Sequence, residues 1–106
     1  MNTANRSRGN LLPLLLKVTG GPVTLGKLLE AIRLSEEATQ IEFAKRLSIS
    51  KSHLNDIEKG RKWVSPERAA RYAKILKYST ERFVVLSLQE IIDEAGLRFQ
   101  VDLKAA

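Results

Sequence analysis

Leu25, Leu28, Leu29 and Ile32 recur at i, i+3, i+4 and i+7, the spacing of one face of a helix. The stripe predicts a helix from about Thr24 to Leu34, with Thr24 placed to cap its start. Thr39-Gln40-Ile41-Glu42 has the form of a capping box and opens a second helix. That helix runs through Phe43, Ala44 and Leu47 and stops near Ser48-Ile49. Ser50 caps a third, about Lys51–Lys59, with Leu54 and Ile57 facing inward and Gly60 ending it. Ser65-Pro66-Glu67 opens a fourth with an N-cap serine, proline at the first helical position and an acid near the positive end of the helix dipole. Its buried stripe is Ala69, Tyr72, Ala73 and Leu76. A fifth spans about Thr80–Ala95 and ends at Gly96. Its apolar residues, Phe83, Val84, Val85, Leu86, Leu88, Ile91 and Ile92, cover more than one face, which predicts burial on several sides.

Beyond Gly96 the period changes from helical to twofold. Leu97, Phe99, Val101 and Leu103 alternate strictly with polar residues, the pattern of a half-buried strand. A lone strand cannot satisfy its own backbone groups. The expectation is therefore that it pairs with the same strand of a second copy, antiparallel across a two-fold axis, with pairing to another protein as the alternative. The fold class expected is all-α, five helices with a short C-terminal β-strand. Thr19-Gly20-Gly21-Pro22 breaks the chain ahead of the first helix. The expected organisation is a basic arm at 1–22, a helical domain at 23–78, and a dimerising helix and strand at 79–106. Within the arm, Met1–Asn10 reads as a disordered terminus, and Leu11–Leu16 as core or dimer packing rather than a membrane anchor.

Charge sharpens this division. The chain carries a net +6 over 106 residues, which favours polyanionic partners. Residues 40–77 hold ten basic and four acidic side chains, and 1–27 hold four basic and no acidic ones. Residues 28–39 and 78–106 are each mildly acidic. Positive charge thus gathers on the arm and the middle of the chain. No cysteine is present, which excludes disulfides and thiolate metal sites and fits a reducing cytoplasm. No apolar run approaches the roughly 20 residues that cross a bilayer. Arg6 and Arg8 before Leu11–Leu16 faintly resemble a secretory signal, but Pro13 interrupts the run and Lys17 follows it. The reading is a cytoplasmic chain with no membrane partner.

The stretch from Gln40 to Gly60 carries the function. Two short helices meet through a tight turn, and Ala44, Leu47, Ile49, Leu54 and Ile57 lock them at a steep angle. Ala44 sits where they cross. That corner leaves the outward face of the second helix free to enter a major groove while the first crosses the backbone.

With Arg33, Gln40, Phe43-Ala44, Leu47, Ile49-Ser50, Leu54, Ile57-Glu58, Gly60-Arg61 and Ala73-Lys74-Ile75-Leu76 in register, the sequence resembles the phage-repressor, or Xre-type, helix-turn-helix family over about Leu25–Leu76. The resemblance implies a lambda-repressor-like domain that binds double-stranded DNA. It places Ser50, Lys51, Ser52 and Asn55 at base edges, where lysine suits guanine, asparagine suits adenine and serine is permissive. It places Gln40, Lys59, Arg61 and Lys62 on phosphates. It implies a partly buried ion pair between Arg33 and Glu58 that links the first helix to the recognition helix. Two departures stand out. Ser48 occupies a turn position that usually holds glycine and calls for a left-handed backbone, and Glu36-Glu37-Ala38 fills an inter-helix loop that usually contains one.

Other residues read more plainly. His53 is a surface residue or a DNA contact, and Asp56 repels phosphate unless it accepts from a cytosine amino group. Trp63 reads first as a plug under a loop and second as a stacking residue. Asp56 and Glu58 are two apart on a helix and diverge, so they are no carboxylate pair. A single histidine and no cysteine leave no metal site, no cofactor motif and no catalytic constellation. The function expected is a repressor that binds a palindromic operator as a homodimer. The alternative is an antitoxin, resembling the HipB and HigA types, that silences a toxin protein and represses its own operon.

Overall fold

The computed structural model describes residues 23–106, so the arm at 1–22 with its Leu11–Leu16 run lies outside the described residues. Five helices are present among them: α1 Leu25–Ser35, α2 Gln40–Arg46, α3 Lys51–Glu58, α4 Pro66–Leu76 and α5 Thr80–Glu94. The chain forms two compact units, the first ending at Lys62 and the second spanning Trp63–Ala106. The division falls inside the 23–78 segment expected to be one domain.

In the first unit every helix start is fixed by a side-chain oxygen. The Thr24 hydroxyl accepts from the Lys27 N–H and the Ser50 hydroxyl from the His53 N–H. At α2 the box is reciprocal: Thr39 Oγ1 accepts from the Glu42 N–H at 3.1 Å, and Glu42 Oε1 accepts from the Thr39 N–H at 2.8 Å. Each bond satisfies an amide that the helix itself leaves without a partner. The Thr39 backbone N–H, then its hydroxyl, hold the Glu42 carboxyl below the usual carboxylate range. This support is present above the unfolded-state value and is lost as pH falls through the lowered one.

The first unit's core is apolar and fully enclosed. Leu25, Leu28, Leu29 and Ile32 of α1 are buried with Phe43, Ala44, Leu47, Leu54 and Ile57. α3 packs on both α1 and α2. The approach of α1 to α3 is set by Gly26, where an added Cβ would overlap the Ile57 carbonyl oxygen. That atom belongs to backbone and cannot swing away. Gly26→Ala should therefore cost about 1–3 kcal/mol, as overpacking usually does. Urea unfolding checks this, and a variant as stable as the parent would show that the two helices separate freely.

In the second unit α4 packs against α5. Ser65 caps α4, with Pro66 in its first turn. Val64, Ala69, Tyr72, Ala73, Leu76 and Phe83 are buried, and Phe83 lies against Tyr78 with ring centroids 5.9 Å apart. Buried Ser87 donates to the Val64 carbonyl at 2.6 Å and so ties α5 to the segment that precedes α4.

Three expectations need correction here. Only Phe83 and Ser87 of α5 are fully buried, while Val84, Val85, Leu86, Leu88 and Ile92 are half-buried and Ile91 is exposed. An apolar helix surface finds partners only where elements exist to cover it, and a single chain covers one stripe. Trp63 is 54% exposed and plugs no core. The predicted strand at Leu97, Phe99, Val101 and Leu103 has no regular secondary structure. Gln89 on α5 takes the place of a neighbouring strand: its Nε2 donates to the Phe99 carbonyl and its Oε1 accepts from the Val101 N–H, both at 2.8 Å. The amide's second hydrogen goes to Asp93 Oδ1, which fixes its orientation. Strict alternation fixes which side chains share a face, but a ladder needs a second backbone. Half-buried Val101 and Leu103 keep part of the twofold pattern, whereas Phe99 stays 66% exposed.

Candidate nucleic-acid interface

The corner between α2 and α3 is built on a left-handed residue. Ser48 has φ 59°, and the Ile49 N–H reaches the Ala44 carbonyl at 3.0 Å, which turns the chain sharply after Leu47. Glu37, in the loop between α1 and α2, also lies in the left-handed region at φ 54°. Both are positions where glycine avoids steric cost. Ala44, Leu47, Leu54 and Ile57 are buried at the corner, and Ile49 is half-buried. With its inner face committed, α3 turns Lys51 and Ser52 outward as exposed residues, and Asn55 is half-buried beside them. Ser50 is exposed, but its hydroxyl lone pair is engaged in capping α3. His53 is half-buried.

Behind α3 lies a polar network. Arg33 donates to Glu58 in a fork, Nε to Oε2 at 2.8 Å and Nη2 to Oε1 at 3.0 Å, and the Glu58 side chain is completely buried. The third donor, Nη1, holds the Ala38 carbonyl at 3.1 Å and so steadies the loop that contains Glu37. The hydrogen bonds to Glu58, against the opposing effect of burial, raise the Arg33 guanidinium above its usual value and keep it charged. Gln40 joins the same cluster. Its Nε2 donates to Glu58 Oε1 at 3.0 Å and to Asn55 Oδ1 at 3.1 Å. Both hydrogens of the Gln40 amide are thereby used inside the protein.

The cations that follow α3 are arranged by an acid. Lys59, Arg61 and Lys62 are exposed, and Gly60 makes the turn between them with φ 80°. Asp56 accepts from Arg61 Nε at 2.9 Å, and its second oxygen lies 3.8 Å from Lys62 Nζ. Its backbone carbonyl also accepts from the Arg61 and Lys62 N–H groups. Both Asp56 carboxylate oxygens thus face these cations. Ion pairs this exposed contribute only about 0–1 kcal/mol, so a phosphate can displace the carboxylate. The Asp56–Arg61 spacing across a helix end and its glycine is the sequence signal that could have shown this role. Arg46, at the far end of α2, is bound to Glu36 at 2.6 Å and lies over the Phe43 ring.

The geometry offers donors on one exposed helical face, flanked by exposed cations and braced by a buried ion pair. Such a surface suits hydrogen-bond recognition of an anionic polymer. Among the described residues there is no cluster that could hold a metal ion, and no helix is long and apolar enough to cross a membrane. A family model described as helix-turn-helix matches residues 29–83. No curated protein and no solved structure matches the chain.

Proposed function

Because the chain belongs to the Xre-type helix-turn-helix family, whose members are DNA-binding transcription regulators, we propose that it acts as a repressor that occupies a palindromic operator as a homodimer. The observation that carries this reading is the free face of α3. Lys51 and Ser52 stand exposed with Asn55 beside them, on a helix whose opposite side is locked by buried Leu54 and Ile57 and whose flank is tied down by the Arg33–Glu58 fork. In the major groove Lys51 donates to guanine and Asn55 pairs with adenine, with Ser50 and Ser52 as permissive neighbours. Lys59, Arg61 and Lys62 grip phosphates. Gln40 meets its phosphate through the backbone N–H at the start of α2, since its side-chain hydrogens are already engaged.

Homodimer formation draws support from the second unit. Ile91, Leu97 and Phe99 are exposed large apolar residues, and Val101 and Leu103 are half-buried beside them in sequence. A second copy would cover this surface and set the two recognition helices about 34 Å apart, one turn of duplex. Repression then follows from occupancy, because a bound dimer excludes polymerase from the same DNA.

Selection of bound sequences from a random duplex pool, with mass in solution measured alongside, tests the reading. The expected result is a two-fold symmetric consensus bound by a dimer, with log affinity falling against log salt at about −0.9 per phosphate neutralised. Binding without consensus, or without salt dependence, overturns it. A stable complex with a second polypeptide in place of self-association would favour the antitoxin reading.

A further inference from the structure

We propose that Gln40 is a positioning residue that fixes the hydrogen-bonding polarity of Asn55, so that Asn55 accepts adenine and rejects guanine at one operator position. This rests on α3 being the element that reads base edges.

The orientation follows from one carboxylate. Glu58 already accepts two N–H groups from Arg33 and offers nothing but acceptors, so the Gln40 group facing it must be the NH2. The second hydrogen of that NH2 points to Asn55, which must answer with its oxygen. Oδ1 is therefore turned toward Gln40, and the Asn55 NH2 has no partner among the described residues. A buried ion pair, through two side-chain amides, decides which end of Asn55 is left to donate.

The consequence differs between the purines. Adenine presents the N7 acceptor beside the N6–H donor, whereas guanine presents N7 beside the O6 acceptor. Toward adenine, Asn55 Nδ2 donates to N7, and the lone pair of Oδ1 not used by Gln40 accepts from N6–H. Toward guanine, that same oxygen meets O6, acceptor against acceptor. A free asparagine escapes by turning its amide so that both hydrogens face the guanine edge. Here turning breaks the bond to Gln40 and leaves an amide hydrogen unpaired beside the buried Glu58. Gln40 thus acts through Asn55 without touching the base.

Two measurements on the full chain test this. In the DNA-free protein, NMR hydrogen exchange should find the Gln40 side-chain amide protected and the Asn55 amide exposed to water. Protection of the Asn55 amide instead would overturn the assignment without reference to DNA. In pool selection, Gln40→Met should relax one adenine position per half-site to either purine, lowering that preference about tenfold and leaving the other positions alone. Asn55→Ala should flatten the same position, and adding Gln40→Met to it should change nothing further. A uniform loss across all sequences with a shallower salt dependence would make the Gln40 side chain itself a phosphate contact and sink the proposal, as would additive effects of the two substitutions. Should the wild-type exchange pattern hold while no consensus emerges, base reading by α3 fails, and the adenine assignment with it. If Gln40→Met does not fold, the wild-type exchange pattern and the Asn55→Ala selection still decide the matter.

Discussion

Glu58→Ala is expected to lower the unfolding free energy by about 3–5 kcal/mol, the usual result of leaving one member of a buried ion pair alone. The Glu58 side chain has no exposed surface, and that of Arg33 is 12% exposed. Removing the carboxylate leaves Arg33 with only the Ala38 carbonyl, and it deprives the Gln40 amide of one of its two acceptors. Three segments lose their common anchor together: α1, the loop behind it, and α3. The net worth of the pair is a separate quantity. Desolvation of both charges offsets much of their attraction, so replacing Arg33 and Glu58 together with methionine and leucine should cost less than either single truncation. Urea unfolding of both singles and the double separates the two quantities. A Glu58→Ala variant within about 1 kcal/mol of the parent would mean that the guanidinium finds water, as exposed pairs do, and that the fork does not brace the corner.

The second large effect is on binding. Lys51→Ala combined with Asn55→Ala should reduce specific affinity by about a thousandfold or more. Each base contact contributes about 1–3 kcal/mol of discrimination, and two-fold symmetry doubles both losses, so the least expected sum is about 4 kcal/mol. Lys59, Arg61 and Lys62 remain, so weak, salt-sensitive binding to any duplex should persist. The melting temperature should fall by only a few degrees, because Lys51 is exposed and Asn55 gives up one hydrogen bond, that from Gln40, worth about 1 kcal/mol. Titration of specific and scrambled duplexes, beside thermal unfolding, checks both halves. If the double variant unfolds, those side chains belong to the scaffold and the base-reading assignment is wrong.

The helices were legible because their ends are written in side-chain oxygens. Thr24, Thr39, Ser50 and Ser65 each cap the helix their position predicts, and the apolar stripes of the first four helices fall on their buried faces. Pattern alone fails where a backbone or a distant residue decides. Gly26 adds nothing to a hydrophobic period, yet it sets how close α1 comes to α3. Gln40 and Asn55 lie fifteen positions apart, and only the fold shows that one amide faces the other. Its residue type favours Trp63 as a plug under a loop over a stacking residue, but in the structure it stands 54% exposed. The alternation after Gly96 was real as a pattern and silent about what pairs with its backbone.

Gln89 limits the backbone edges that the C-terminal segment offers to another chain. By bonding Phe99 and Val101 from one side, its amide closes that edge of the C-terminal segment. An incoming backbone can add along the opposite edge alone. Were a second chain to add there, growth would halt after one addition, and an alternating apolar segment that could template open-ended stacking would be confined to a finite complex.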